Sequence, residues 1–104
     1  MLMEKRTHKR IDVDIETRFY CRGILYGGNI SNISEQGLFI SMEEVCFSSG
    51  LPFEVFIENN GKTITIPAYI KRIVMAPDSS NGIGVEISDP PKEYIDYVNS
   101  LRTV

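Results

Sequence analysis

Two short clusters of residues carry the groups needed to hold an anionic, purine-bearing ligand. Arg6 and Arg10 stand four positions apart in a basic leader, and Asn32, Ser34 and Gly37 stand in the run Asn32-Ile33-Ser34-Glu35-Gln36-Gly37. Arginine combines a permanent charge, a planar fork matched to phosphate oxygens or to the O6/N7 edge of guanine, and a flat face that stacks on a base. Four residues of extended chain span roughly 13 Å, about the size of a compact dinucleotide, whereas in a turn the two heads converge on one base. Asn32 offers both a donor and an acceptor, Ser34 a rotating hydroxyl, and Gly37 a backbone that turns with no Cβ in the way. Taken singly, each cluster has a plainer reading. The leader is then a solvated terminus, and the second run a polar turn favoured for local reasons.

The charge distribution separates these clusters from the rest of the chain. The net charge of the 104 residues is −3. Lys5, Arg6, Lys9 and Arg10 against Glu4 leave the first ten residues at +3, so the remainder carries −6. A basic arm on an acidic body suits a small dianion held locally, because the body repels an extended polyanion. The length allows one compact domain, and 42% hydrophobic with 24% charged residues is the composition of an ordinary globular protein. No stretch approaches the ~20 apolar residues of a membrane span. The basic start is not followed by an apolar segment of the kind that directs secretion. The expected location is therefore the cytoplasm, with Cys21 and Cys46 as free thiols that pack rather than pair.

Period-two alternation supplies the elements that must position the two clusters. From Asp12, Val13, Ile15, Thr17, Phe19 and Cys21 share one face while Asp14, Glu16, Arg18, Tyr20 and Arg22 share the other. Further strands are expected from Leu25 to Ile33, with Gly27 and Gly28 marking a bulge or a close backbone approach, and from Gly37 to Met42. Phe53 to Glu58 and Thr63 to Val74 flank Asn60-Gly61, the signal of a tight type I′ hairpin. Within the second arm the apolar positions shift phase near Lys71, so a bulge is expected there. Ser79-Ser80-Asn81-Gly82 turns into a last strand from Ile83 to Ile87. Six short strands with this punctuation predict an all-β fold, a six-stranded antiparallel barrel whose closure removes exposed edges.

The period then changes. Asp89 is a suitable N-cap with Pro90 at the first helical position, and Tyr94, Ile95, Tyr97, Val98 and Leu101 follow helical spacing. One amphipathic C-terminal helix is expected to cover a mouth of the barrel. Its polar face, with Lys92, Glu93, Asp96 and Arg102, is mixed in sign, unlike the basic face of a membrane-surface helix.

Nothing in the pattern resembles a catalytic constellation, and no enzyme is expected. His8 lies among like charges that disfavour its protonated form. Metal-ligand spacing, a nucleophile elbow and a phosphate-cradling Walker loop are all missing from the sequence. Glu43 and Glu44 are paired only along the chain.

Arg6-x-x-x-Arg10 followed by Asn32-x-Ser34-x-x-Gly37, ahead of an alternating β-rich body, resembles the PilZ domain, a bacterial receptor module for cyclic di-GMP. The resemblance runs from Lys5 to the C-terminal helix and implies residues 1–11 as a flexible basic leader with residues 12–104 as the barrel and helix. It implies that Arg6 and Arg10 wrap the guanines and phosphates of the ligand, that Asn32 and Ser34 contact a guanine from the barrel surface, and that Gly37 keeps the turn open. Lys5, just before the first arginine, falls where members often carry a residue that influences how many ligand molecules bind. Gly82-Ile83-Gly84-Val85-Glu86-Ile87 looks like the family's late strand, with Ile87 where an aromatic often stands, and Asp12 lies near a position where proline is common. The implied function is a receptor whose arm orders on cyclic di-GMP and signals to a protein effector, without DNA, cofactor or metal. Two alternatives stand beside it: a PilZ-like interaction scaffold that binds no nucleotide, and a small barrel that stacks single-stranded nucleic acid on Phe39 and Tyr20. A homodimer stays open.

Overall fold

Alternating side chains become six antiparallel strands that close on themselves. The computed structural model describes residues 10–21, 23–43, 52–75 and 81–102. The strands are β1 (Ile11–Cys21), β2 (Ile24–Ser34), β3 (Gly37–Ser41), β4 (Pro52–Asn59), β5 (Lys62–Val74) and β6 (Gly82–Glu86), followed by helix α1 (Lys92–Arg102). Around the closed barrel the order is β1-β2-β3-β6-β5-β4. The closing seam between β1 and β4 is short, with Arg18 opposite Phe56 and Phe19 opposite Val55. Thr17 reinforces it, its buried hydroxyl donating to the Phe56 carbonyl at 2.8 Å.

The inward positions fill the barrel with branched aliphatics. Phe19, Ile30, Ile33, Leu38, Ile40, Val55, Ile57, Ile66, Ile70, Ile83 and Val85 form one buried cluster, which Tyr94 and Val98 of α1 join. The β4–β5 hairpin turns at Asn60 and Gly61, both with positive φ (55° and 79°), as a type I′ turn requires. In β5 the register against β6 shifts between Ile70 and Arg72, the phase break expected near Lys71. Beyond it Ile73 packs against the core, whereas Met75 is exposed.

Of the two readings of Gly27 and Gly28, close backbone approach is the one that holds: both pair in register with β1, and a Cβ on Gly28 would lie 2.7 Å from Ile40 Cγ2. One expectation needs correction: the helix begins at Lys92 rather than Pro90. Pro91 cannot follow a helical residue without steric conflict, so Pro90 stays outside. The Pro91 carbonyl accepts the first bonds, from the amides of Tyr94 and Ile95 at 3.0 and 3.1 Å. Among the described residues no helix is long and apolar enough to cross a membrane.

Candidate functional site

The second cluster sits where β2 runs into β3, and an irregularity in β2 aims it. Against β3, Ile30 pairs with Ile40 and Asn32 with Phe39, which leaves Ser31 as an extra residue. Against β1, the same stretch faces the irregularity between Asp12 and Ile15. Strict alternation would send Ile30 and Asn32 to one face. The extra residue lets Ile30 and Ile33 both enter the core, and Asn32 between them meets the barrel surface.

Arg10, at the entrance to β1 and exposed, reaches this point. Its Nη1 donates to Asn32 Oδ1 at 2.6 Å across a separation of 22 residues. Gly37 completes the contact by lacking a side chain: a Cβ there would lie 2.7 Å from the Val85 carbonyl oxygen and 3.4 Å from Arg10 Nη2. Glycine is needed for close approach at the β3–β6 pairing, since Gly37 is not among the residues with positive φ.

Ser34 is placed differently from its neighbours. It is buried, at 3% exposure. Its hydroxyl donates to the Gly37 carbonyl at 3.3 Å and accepts from the Gln36 amide at 3.3 Å, so it braces the turn from within. The structure thus brings Arg10, Asn32, Ser34 and Gly37 together. Lys5, Arg6, His8, Cys46, Glu44 and the Ser79-Ser80 turn lie outside the described residues.

Helix α1 holds the same turn from behind. The buried Tyr94 hydroxyl donates to the Ser34 carbonyl at 2.5 Å. Arg102 Nη2 lies 3.9 Å from Glu35 Oε1, and the Ile87 amide donates to the Gln36 carbonyl at 2.9 Å. Burial pushes the Tyr94 phenol well above its ordinary value, and the positive charge of Arg10 pulls it back in part. Sequence reasoning placed Tyr94 on the apolar stripe without its polar task. A tyrosine fully inside a core signals that its hydroxyl needs a partner. The bulge at Ser31 also had a signal, since Ile30 and Ile33 are three positions apart in a segment of otherwise period-two character.

The arrangement presents a guanidinium and a carboxamide side by side at the surface, above a braced turn. Both groups can donate to the acceptor edge of a purine or to phosphate oxygens. The profile of the PilZ domain matches residues 4–101. No match was found among curated proteins. The solved structures of similar fold include the inhibitor of motility MotI/DgrA of Bacillus subtilis, with a TM-score of 0.74 at 18% identity over 97% of this chain and 52% of that one. This chain therefore spans about half the length of that protein. The PilZ domain of CeSA from a cellulose-synthesizing bacterium gives 0.70 at 21% identity, over 90% of this chain and 98% of that chain. The PilZ domain of Escherichia coli YcgR, solved with c-di-GMP, gives 0.69 at 9% identity, over 94% and 88%. At such identities the structural likeness speaks for the fold. The profile, spanning both residue clusters and nearly the whole barrel and helix, adds the lineage: the chain belongs to the PilZ domain family.

Proposed function

We propose that this chain is a cyclic di-GMP receptor domain rather than an enzyme. The observation that carries the reading is the Arg10–Asn32 contact, 2.6 Å long, beside the Ser34–Gly37 turn of a PilZ barrel. A related domain, that of YcgR, was solved with the same ligand. Arg10 and Asn32 take a guanine and its phosphate, and Arg6 of the leader adds the second fork, with Lys5 beside it. Ser34 serves through the turn it braces, and its hydroxyl can donate to a guanine only by letting go of the Gly37 carbonyl. The arm of residues 1–11 meets the platform of residues 12–104 at Arg10 and Ile11, which the Asn32 contact and the pairing with Ile33 already hold. Binding orders the rest of the arm across the barrel, and the surface made from arm, ligand and barrel is read by a protein effector in the cytoplasm.

Calorimetric titration of the chain with cyclic di-GMP tests this directly. Saturable binding that GTP and cyclic di-AMP do not reproduce is the expected result. No heat and no shift in melting temperature at millimolar ligand would leave an interaction scaffold as the better reading.

A further inference from the structure

The outward surface beside Asn32 continues as one row across four strands. In register, Asn32 of β2 faces Phe39 of β3, Phe39 faces Gly84 of β6, and Gly84 faces Arg72 of β5. Both ends of the row are turned outward by the same device. At one end the extra Ser31 brings Asn32 to the surface. At the other, the register shift between Ile70 and Arg72 does so, because strict alternation would put Arg72 on the buried face of Ile70. Arg72 is exposed instead.

The side chain of Arg72 also lies in a definite direction. A Cβ on Gly84 would stand 2.9 Å from Arg72 Cγ and 3.0 Å from Nε. The arginine therefore crosses over β6 toward β3, through space that only glycine leaves. Phe39 fills the neighbouring gap, its ring carbons 2.5 and 2.6 Å from where a Gly82 Cβ would be. An apolar ring, leaning over Gly82, thus flanks the row that has a carboxamide with its own arginine at one end and a second arginine at the other. With strands ~4.8 Å apart, the backbones of Asn32 and Arg72 are about 14 Å apart. The arginine leaning back along the row shortens the gap between the polar heads to dinucleotide scale. Among the described residues Arg72 makes no ion pair, so its fork is not spent on the protein.

We infer that Arg72 is a further ligand-binding residue, which takes the second guanine of the cyclic dinucleotide over Phe39 while Arg10 and Asn32 hold the first. The inference rests on the cyclic di-GMP reading. A guanidinium donates two parallel N–H bonds to guanine O6 and N7, and an ammonium, as a point charge, does not reproduce that fork.

The test is titration of the parent, Arg72→Ala and Arg72→Lys with cyclic di-GMP, with melting curves to confirm that all three are folded. Arg72→Ala should weaken binding about tenfold, and Arg72→Lys should recover little of the loss. The melting temperature should hardly move, because Arg72 is exposed. A loss of less than fivefold in Arg72→Ala overturns the inference, and so does parent-like affinity in Arg72→Lys. A parent that does not bind at all refutes the receptor reading instead, which keeps the two failures apart.

Discussion

Arg10 and Asn32 fix each other's orientation. Because a guanidinium has donors and no acceptor, the 2.6 Å contact requires the Asn32 oxygen to face Arg10. The Asn32 NH2 group is thereby turned to the other side, as a donor toward whatever docks on the barrel surface. Arg10 spends one of its N–H groups on this contact and keeps the rest of its fork. The donors that would meet the O6 and N7 acceptors of a guanine are in place before a ligand arrives, which reduces the ordering that binding must supply.

The affinity of cyclic di-GMP should depend on the first cluster, and the stability of the barrel should not. Arg6→Ala and Arg10→Ala are each expected to lose ~1–3 kcal/mol of binding, because each removes a charge-assisted and partly bidentate contact. Arg10 is exposed and outside the core, so thermal unfolding of Arg10→Ala should track the parent. Titration calorimetry and melting curves on the same samples check both halves. Parent-like binding by both variants would sink the role given to the leader.

Selectivity should follow the second cluster. Cyclic di-AMP should compete poorly against labelled cyclic di-GMP, since adenine presents a donor where guanine has O6. GTP and short single-stranded DNA should also compete poorly, because GTP brings one guanine where the site holds two and DNA is an extended polyanion that the acidic body repels. Ser34→Ala removes the brace between the Gly37 carbonyl and the Gln36 amide. It should weaken cyclic di-GMP by ~1–2 kcal/mol without improving the competitors. Single-stranded DNA binding as tightly as cyclic di-GMP in moderate salt would favour the nucleic-acid alternative.

What could be read from the sequence was what local pattern encodes. Val13, Ile15, Thr17 and Phe19 announce β1 because every second side chain must enter the core, and Asn60-Gly61 announces its hairpin because both residues accept positive φ. The phase break near Lys71 was visible for the same reason. The break at Ser31 has no glycine to announce it, whereas Gly27-Gly28 fits a bulge and a close approach equally well until the packing of Gly28 against β3 decides for the second. The helix starts two residues later than Asp89-Pro90 announces, because Pro91 disfavours helical backbone at Pro90. The Tyr94–Ser34 bond joins positions 60 apart, and no periodicity reports such a pairing. The row from Asn32 to Arg72 likewise depends on strand order and register, which alternation alone leaves undetermined.

The Tyr94 hydroxyl should leave a signature in alkaline unfolding. Burial raises its pKa in the folded protein above the ordinary value of 10.0, which is close to that of the unfolded chain. The protonated phenol therefore stabilises the fold fully below about pH 10, and this contribution is lost as pH rises toward the raised folded value, by up to about 1.4 kcal/mol per pH unit. Tyr94→Phe lacks that group and should show a shallower decline above pH 10. At neutral pH the variant should be less stable by ~1–3 kcal/mol, because the buried Ser34 carbonyl loses its donor. Tyr97, also raised by burial, is common to both proteins, so the difference between the curves reports Tyr94 together with its electrostatic coupling to Tyr97. Denaturant unfolding from pH 7 to 11 measures both effects, and parallel curves throughout would mean that the phenol is not the titrating group.

Ligand-dependent ordering of the arm is the prediction that separates a receptor from a scaffold. The first ten residues carry four cations against one acid and little apolar surface, a composition too poor in burial to offset the entropy of ordering unaided. An anion that pairs with Arg6 and Arg10 changes that balance, because charge-assisted bonds then compensate for fixing the chain. Arg10 and Ile11 are already tied to β2, so amide hydrogen exchange should show new protection from Lys5 to Lys9 and at the Asn32 to Gly37 turn when cyclic di-GMP is added. The Phe53 to Val74 hairpin should change little, because its ladder is complete without ligand. An interaction scaffold predicts no ligand-dependent protection anywhere. A leader already protected in the free protein, against its own barrel or a second copy, would overturn the ordering mechanism even if the ligand still bound, since the arm would then be released or exchanged instead of folded.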